Sequence, residues 1–446
     1  MEEERDRILS LYAGTRARTE KLAAPLSPED QQLQSMPDAS PVKWHRAHTT
    51  WFFETFVLEP EGVAPFDARY AFLFNSYYEA AGPRHARPKR GMLSRPSATE
   101  ITHYRRSVDD RVTRFVAAAS KDQLARVLPL LDLGLAHEEQ HQELILTDVL
   151  HALSQNPLLP AYLAPHPASP PKKSGGEEIF RESRVLLPPG AVPAGPPRFV
   201  AFEGGLHEIG APDGTGFVFD NERPRHKEWL EPFALADRLV TCGDLRAFVR
   251  DKGYETPSLW LSEGFDFVQA HGLPRERAPL YTTLADDALT TFTLAGPRVL
   301  SDCDPIAHVS YYEADAIARY MGARLPTEAE WELAAAGRGI AAPVTGNFLD
   351  DGGLRPLPRP AGRETGVSQL FGDVWEWTSS SYDPYPGYAP PVGALGEHNG
   401  KFMVSQKVLR GGSCLTPRRH IRASYRNFWH PATQFQMTGI RLARDV

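Results

Sequence analysis

His137-Glu138-Glu139-Gln140-His141, inside the stretch LAHEEQHQELIL, sets two imidazoles four residues apart. On a helix, positions i and i+4 share a face, so both rings can reach one metal ion. H-E-x-x-H is also the pattern of zinc proteases, in which the glutamate acts as general base. A protease makes further demands. One version continues to a glycine and a third histidine, whereas this chain continues with QELILT. Another takes a glutamate from a following helix, whereas a proline-rich connector follows here, with Glu177 and Glu178 as its first acids. Neither demand is met. An upstream donor exists in KWHRAHTTWFFETF, where His45 and His48 stand three apart. They share a helical face only approximately, so one can ligate while the other points elsewhere. Three neutral imidazoles leave open positions for substrate and O2, as a non-heme iron site requires. The same set could hold zinc, and spacing alone does not choose between the metals.

Four amphipathic stretches must position these histidines. RDRILSLYAGTRARTEKLAAPL, SPVKWHRAHTTWFFETFVLEP, SATEITHYRRSVDDRVTRFVAAAS and KDQLARVLPLLDLGLAHEEQHQELILTDVLHAL predict an up-and-down bundle over residues 1–154, with Ser40-Pro41 as cap and first turn of the second helix. The long insert FDARYAFLFNSYYEAAGPRHARPKRGMLSRPS between helices two and three has the length of a functional loop. Residues 155–196 are dense in proline and predict an extended connector. From 197 to 446 the chain is Gly-, Trp- and turn-rich, which predicts an irregular α+β domain. Within it, VSYYEADAIARYMGARLPTEAEWELAAAG predicts two short helices, the first ending at Gly322 and the second opening at Pro326-Thr327.

Composition excludes several classes. The 446-residue chain carries a net charge of −7, which provides no basic field for nucleic acid or an anionic membrane. No apolar run approaches a bilayer span, and MEEERDRILS has no export-signal pattern. Cys242, Cys303 and Cys414 are widely spaced, which fits a reducing cytoplasm. These features predict a cytoplasmic enzyme.

A bundle with a three-histidine set, followed by RLPTEAEWELAAAG, GDVWEWTSS, LRGGSC and a closing GIRLARD, resembles the ergothioneine-biosynthesis sulfoxide synthases. The first half resembles a DinB-like four-helix bundle. The second resembles the formylglycine-generating-enzyme domain, a C-type-lectin-like fold. The resemblance runs over nearly the whole chain apart from the connector. It implies an Fe(II) enzyme that uses O2 to join the sulfur of cysteine or γ-glutamylcysteine to C2 of hercynine (Nα-trimethylhistidine), leaving a sulfoxide. By motif position it implies ligands at His48, His137 and His141, with Gln140 against the hercynine imidazole and Asn427 at that substrate's carboxylate.

LFNSYYEAAGPRHARPKRG resembles the branch that takes free cysteine, in which Tyr77 and Tyr78 would sit beside the iron. A phenol of pKa about 10 can donate a proton or hydrogen atom there. The bland alternative is two aromatics bracing a loop. Arg87 and Arg90 are partners for a substrate carboxylate, since guanidinium binds carboxylate as a fork; otherwise they belong to a solvated basic loop. Phe428 or Trp429 is a candidate wall for the quaternary ammonium of hercynine. Trp331, Trp375 and Trp377 are assigned to the core. Cys414 has no close cysteine in sequence, which disfavours formylglycine chemistry. RNFWHPATQFQMTG departs from the family's usual pattern, and His430 and Gln434 there could reshape a pocket. Three alternatives stand beside this expectation. One is a selenoneine synthase using a selenosugar. Another is an ovothiol-type thiol-histidine synthase, which normally carries a methyltransferase domain. The third is a non-catalytic metal-stabilised binding module.

Overall fold

The computed structural model describes residues 2–163, 195–270, 279–285, 288–336, 344–360 and 366–446. The connector expected over 155–196 therefore lies largely outside the described residues. The chain divides into two compact units. The first comprises Met1–Pro157 together with Thr215–Asp220 and Ala389–Lys401. The second comprises Leu158–Gly214, Asn221–Tyr388 and Phe402–Val446. A division by sequence texture gives both short segments to the second half, whereas the fold gives them to the first.

The first unit is helical: α1 (Glu2–Ala23), α2 (Val42–Phe53), α3 (Tyr70–Phe74), α4 (Ala98–Ala118) and α5 (Lys121–Ser154). α4 and α5 each open on a reciprocal cap, Ser97 with Glu100 and Ser120 with Gln123. α2 begins differently from the sequence expectation. Pro41 holds its N-cap position with no side-chain cap, because Ser40 is engaged elsewhere. The Ser40 N–H donates to Asp148 at 2.8 Å and its hydroxyl accepts from Arg90 at 2.9 Å. Every residue of α2 is buried, as a central helix requires. Its end runs into a π-helical turn, Glu54–Leu58.

α2 packs closely on α5 at Gly134, where an added Cβ would stand 2.5 Å from the Phe53 ring and 3.0 Å from that of Phe52. Trp51, Phe52, Phe53, Tyr104 and Leu135 belong to the apolar core around this crossing. A buried ion cluster ties the remaining helices. Glu138 of α5 accepts from Arg16 at 2.7 Å and Thr19 at 2.6 Å on α1, and from Arg105 on α4.

The second unit is built from short strands: β1 (Phe199–Phe202), β2 (Gly205–Ile209), β3 (His226–Leu230), β4 (Phe233–Leu239), β5 (Thr282–Ala285), β6 (Ala288–Thr293), β7 (Gly296–Val299), β8 (Trp375–Ser381), β9 (Lys407–Arg410), β10 (Asn427–Trp429), β11 (Thr438–Gly439) and β12 (Arg441–Asp445). They form sheets ordered β1-β4-β12 and β10-β9-β8-β11, a β2-β3 hairpin and a β5-β6-β7 meander. Helices α6 (Cys242–Arg250), α7 (Ser262–Ala270), α8 (Tyr311–Tyr320) and α9 (Glu328–Ala336) complete the unit. The turn after α8 passes through Gly322 at φ +65, and α9 is capped by Thr327 with Glu330, close to the sequence expectation. Trp331, Trp375 and Trp377 are fully buried. Their indoles are core: Trp331 donates to Glu376 at 2.7 Å, and Trp377 donates to the Val309 carbonyl at 2.9 Å. All three cysteines are free and buried.

Candidate metal centre

α2 brings His48 to face His137 and His141, which lie one turn apart on α5. The Nε2 of His137 stands 3.2 Å from Nε2 of His48 and 3.0 Å from Nε2 of His141. One proton could serve only one of these contacts. Three nitrogens converging on a point are a cation-binding arrangement, and these three residues could hold a metal ion. Two imidazole nitrogens bound at about 2.1 Å stand about 3.0 Å apart at right angles, against about 3.4 Å in a tetrahedron. The two observed separations, 3.0 and 3.2 Å, lie within the interval between these values and select neither geometry. The rings are also in the correct charge state. Burial pushes the pKa of all three well below the ordinary histidine value, and at His137 and His141 the neighbouring imidazoles add to this. Neutral imidazoles are what a metal requires.

Local packing fixes the His48 ring. It lies parallel to Trp44 (centroids 4.6 Å apart, planes at 12°) and to Trp51 (5.6 Å, 18°), about one helical turn away on either side. Its Nδ1 faces the Phe74 carbonyl at 2.6 Å. That nitrogen donates, and the lone pair is left on Nε2. His45 is not part of the set: its Nδ1 meets Nδ1 of His141 at 2.7 Å, and its Nε2 lies 3.0 Å from Asp148.

Tyr77 and Tyr78 come to the same place through a residue that sequence reasoning missed. The Tyr77 hydroxyl is 2.8 Å and the Tyr78 hydroxyl 3.1 Å from Nδ1 of His398, whose ring lies edge-on to His137 with centroids 5.6 Å apart. His398 belongs to the segment Ala389–Lys401, which is anchored in this unit. Glu397 accepts from the backbone of Glu79 and Ala80 at 3.0 and 2.9 Å, and Lys401 donates to the Tyr77 carbonyl. Burial pushes both tyrosine pKa values above the ordinary phenol value, so both hydroxyls keep their protons. No spacing signal links residue 398 to residue 77.

The two arginines separate. Arg87 is exposed and donates to the Asp38 carbonyl. Arg90 is buried, its guanidinium 3.4 Å over the Trp44 ring, and it donates to Ser40 and Ser76 at 2.9 and 3.1 Å. Its Nε has no hydrogen-bond partner, and no carboxylate forms an ion pair with it among the described residues. Burial, with Arg87 adding to it, pushes its pKa down. Gln140 is half-buried between the paired histidines.

Comparison with known proteins bears on this arrangement directly. Residues 11–145 match the DinB superfamily, and residues 187–446 match the sulfatase-modifying factor enzyme 1-like domain. The hercynine oxygenase of Mycolicibacterium thermoresistibile is 32% identical over 94% of this chain and 91% of its own length. That of Mycobacterium tuberculosis is 31% identical over 97% of both. The chain belongs to the hercynine oxygenase family. It is accordingly an oxygenase-type enzyme, with an N-terminal DinB-like domain and a sheet-rich C-terminal domain. The latter is also similar to the formylglycine-generating enzyme of Streptomyces coelicolor, 30% identical over 55% of this chain and 89% of that enzyme.

Membership in the hercynine oxygenase family agrees with the fate of Glu138. Burial alone would raise its pKa, but Arg105 and Arg16 overcome that and hold it at about 2. A carboxylate so neutralised is a strut between helices, not a protease base. In the second unit, Asn427, Phe428 and Trp429 form β10, paired with β9. The Asn427 side-chain oxygen accepts from the Phe428 N–H at 2.9 Å. Phe428 stacks on Tyr382 (4.0 Å, 12°) and lies 5.9 Å from Phe402, whereas Trp429 meets Phe435 edge-on. In the divergent stretch, His430 faces the Ser405 carbonyl at 3.2 Å. Gln434 donates to Glu313, the carboxylate that caps α8, at 2.7 Å. Among the described residues, no helix is long and apolar enough to cross a membrane.

Proposed function

We propose that the protein uses Fe(II) and O2 to join the sulfur of cysteine, or of γ-glutamylcysteine, to C2 of hercynine, yielding a sulfoxide. The convergence of three neutral Nε2 atoms, with a pair of protonated tyrosines joined to it through His398, carries this reading. Fe(II) held by His48, His137 and His141 would supply the redox chemistry and the open positions that O2 and a thiolate need.

The chain's own residues then divide the remaining work. Arg90 binds the carboxylate of the thiol substrate: a buried guanidinium without a carboxylate is an incomplete pair, and the substrate completes it. Gln140, next to His141 in sequence and about one turn after His137, holds the hercynine imidazole. His398 Nδ1 accepts a hydrogen bond from the Tyr77 hydroxyl at the shorter distance, and Tyr78, whose hydroxyl lies 3.1 Å from that nitrogen and 3.4 Å from Tyr77, is assigned as the proton donor to the reacting oxygen. Arg90, rather than exposed Arg87, as the carboxylate anchor favours a compact donor such as free cysteine.

His141→Ala tests the metal assignment. Iron content and turnover should fall together; full activity in that variant would contradict the reading.

A further inference from the structure

We infer that His45 and Asp148 are positioning residues that fix which nitrogen of His141 faces the metal. The inference rests on the three-histidine metal site, not on the identity of metal or substrate. When His141 ligates through Nε2, its Nδ1 must carry the hydrogen and, being buried, needs an acceptor. The group at hand is Nδ1 of His45, 2.7 Å away. An imidazole nitrogen accepts only if the ring's single proton sits on the other nitrogen. Nε2 of His45 lies 3.0 Å from Oδ2 of Asp148, a carboxylate that can only accept. Asp148 therefore holds the His45 proton on Nε2, His45 accepts from His141, and the His141 lone pair is directed at His48 and His137.

Asp148 is itself fixed, since the same Oδ2 accepts from the Ser40 N–H at 2.8 Å. That explains why Ser40 does not cap α2. The chain of bonds also has a direction: reversing any one link sets two lone pairs or two protons face to face in a buried site. His48 reaches the same state in one step through the Phe74 carbonyl, whereas His141 needs two residues to do it. Such partners raise metal affinity by orienting the ligand.

The test is titration of metal-free protein with Co(II) alone, followed by visible absorption, with His141→Ala as the blank. His45→Phe keeps a ring but removes the acceptor, and should weaken Co(II) binding about 10- to 100-fold. His45→Gln offers an oxygen to His141 and an N–H to Asp148, and should retain affinity within a few-fold. A second pair repeats the logic: Asp148→Leu should weaken binding, while Asp148→Asn, with an oxygen free to accept from both Ser40 and His45, should not. Thermal melting of the metal-free forms checks that each variant is folded. A folded His45→Phe that binds Co(II) like wild type, or Gln and Phe variants equally weakened, would overturn the inference. Failure of the wild-type protein to take up Co(II) would instead overturn the metal site itself.

Discussion

Glu138 occupies the motif position of a protease base, yet two arginines hold its carboxylate at a pKa of about 2. Residues of one spacing pattern can thus serve opposite ends. Removing its charge while leaving Arg16 and Arg105 buried should cost about 3–5 kcal/mol, so Glu138→Gln should lower the midpoint of denaturant unfolding substantially. The sign with pH follows from a depressed pKa. Its contribution is present above the ordinary glutamate range and is lost as pH falls from there towards 2. Wild type should therefore lose stability across that window more than the Gln variant does. Among the tyrosines, Tyr78→Phe should lower kcat about 10²- to 10⁴-fold with little change in KM, and Tyr77→Phe should do less; steady-state oxygen uptake separates them. Because burial raises both phenols, no rate inflection from tyrosine ionisation should appear below the ordinary phenol pKa. At this scale His137 and His141 were legible from their spacing, and His48 only through the family resemblance, since spacing left His45 equally open. His398 was not, because its partners lie some 320 residues away and are set only by folding.

At the scale of elements, the site depends on α2 and α5 lying close enough for imidazoles from each to meet. Gly134, one turn before His137, permits that approach. Gly134→Ala raises helix propensity by about 1 kcal/mol, but it presses a methyl into buried Phe52 and Phe53, and overpacking costs about 1–3 kcal/mol. A net loss in stability is expected, measured by thermal melting. Since Phe52 lies 4.9 Å from the His137 ring, metal affinity should fall as well. The helices themselves were readable from the periodicity of their apolar residues. The start of α2 was misread because Ser40, a good cap by type, is claimed by Asp148 and Arg90, which no local pattern reveals.

At the scale of the whole molecule, the change of texture near residue 155 was visible in composition, and the family comparison agrees with a helical half followed by a sheet-rich one. The return of Ala389–Lys401 to the helical unit was not visible, since that stretch has no helical period to mark it. Its contribution should be chemical more than structural. His398→Ala in the full chain should leave Co(II) affinity within a few-fold of wild type and slow turnover about tenfold or more. The central claim concerns the reaction, and its atoms set the measurement. Forming one C–S and one S–O bond from hercynine and cysteine removes four electrons, so each turnover consumes one O2, with one oxygen atom kept in the sulfoxide and one released as water. Mass spectrometry of the product formed by Fe(II)-loaded protein under ¹⁸O2, with hercynine and each of cysteine, γ-glutamylcysteine and a selenosugar, tests this directly. A hercynine–cysteine sulfoxide bearing a single ¹⁸O is the predicted result. Oxygen left unconsumed with every thiol, or a product formed only from the selenosugar, would contradict it.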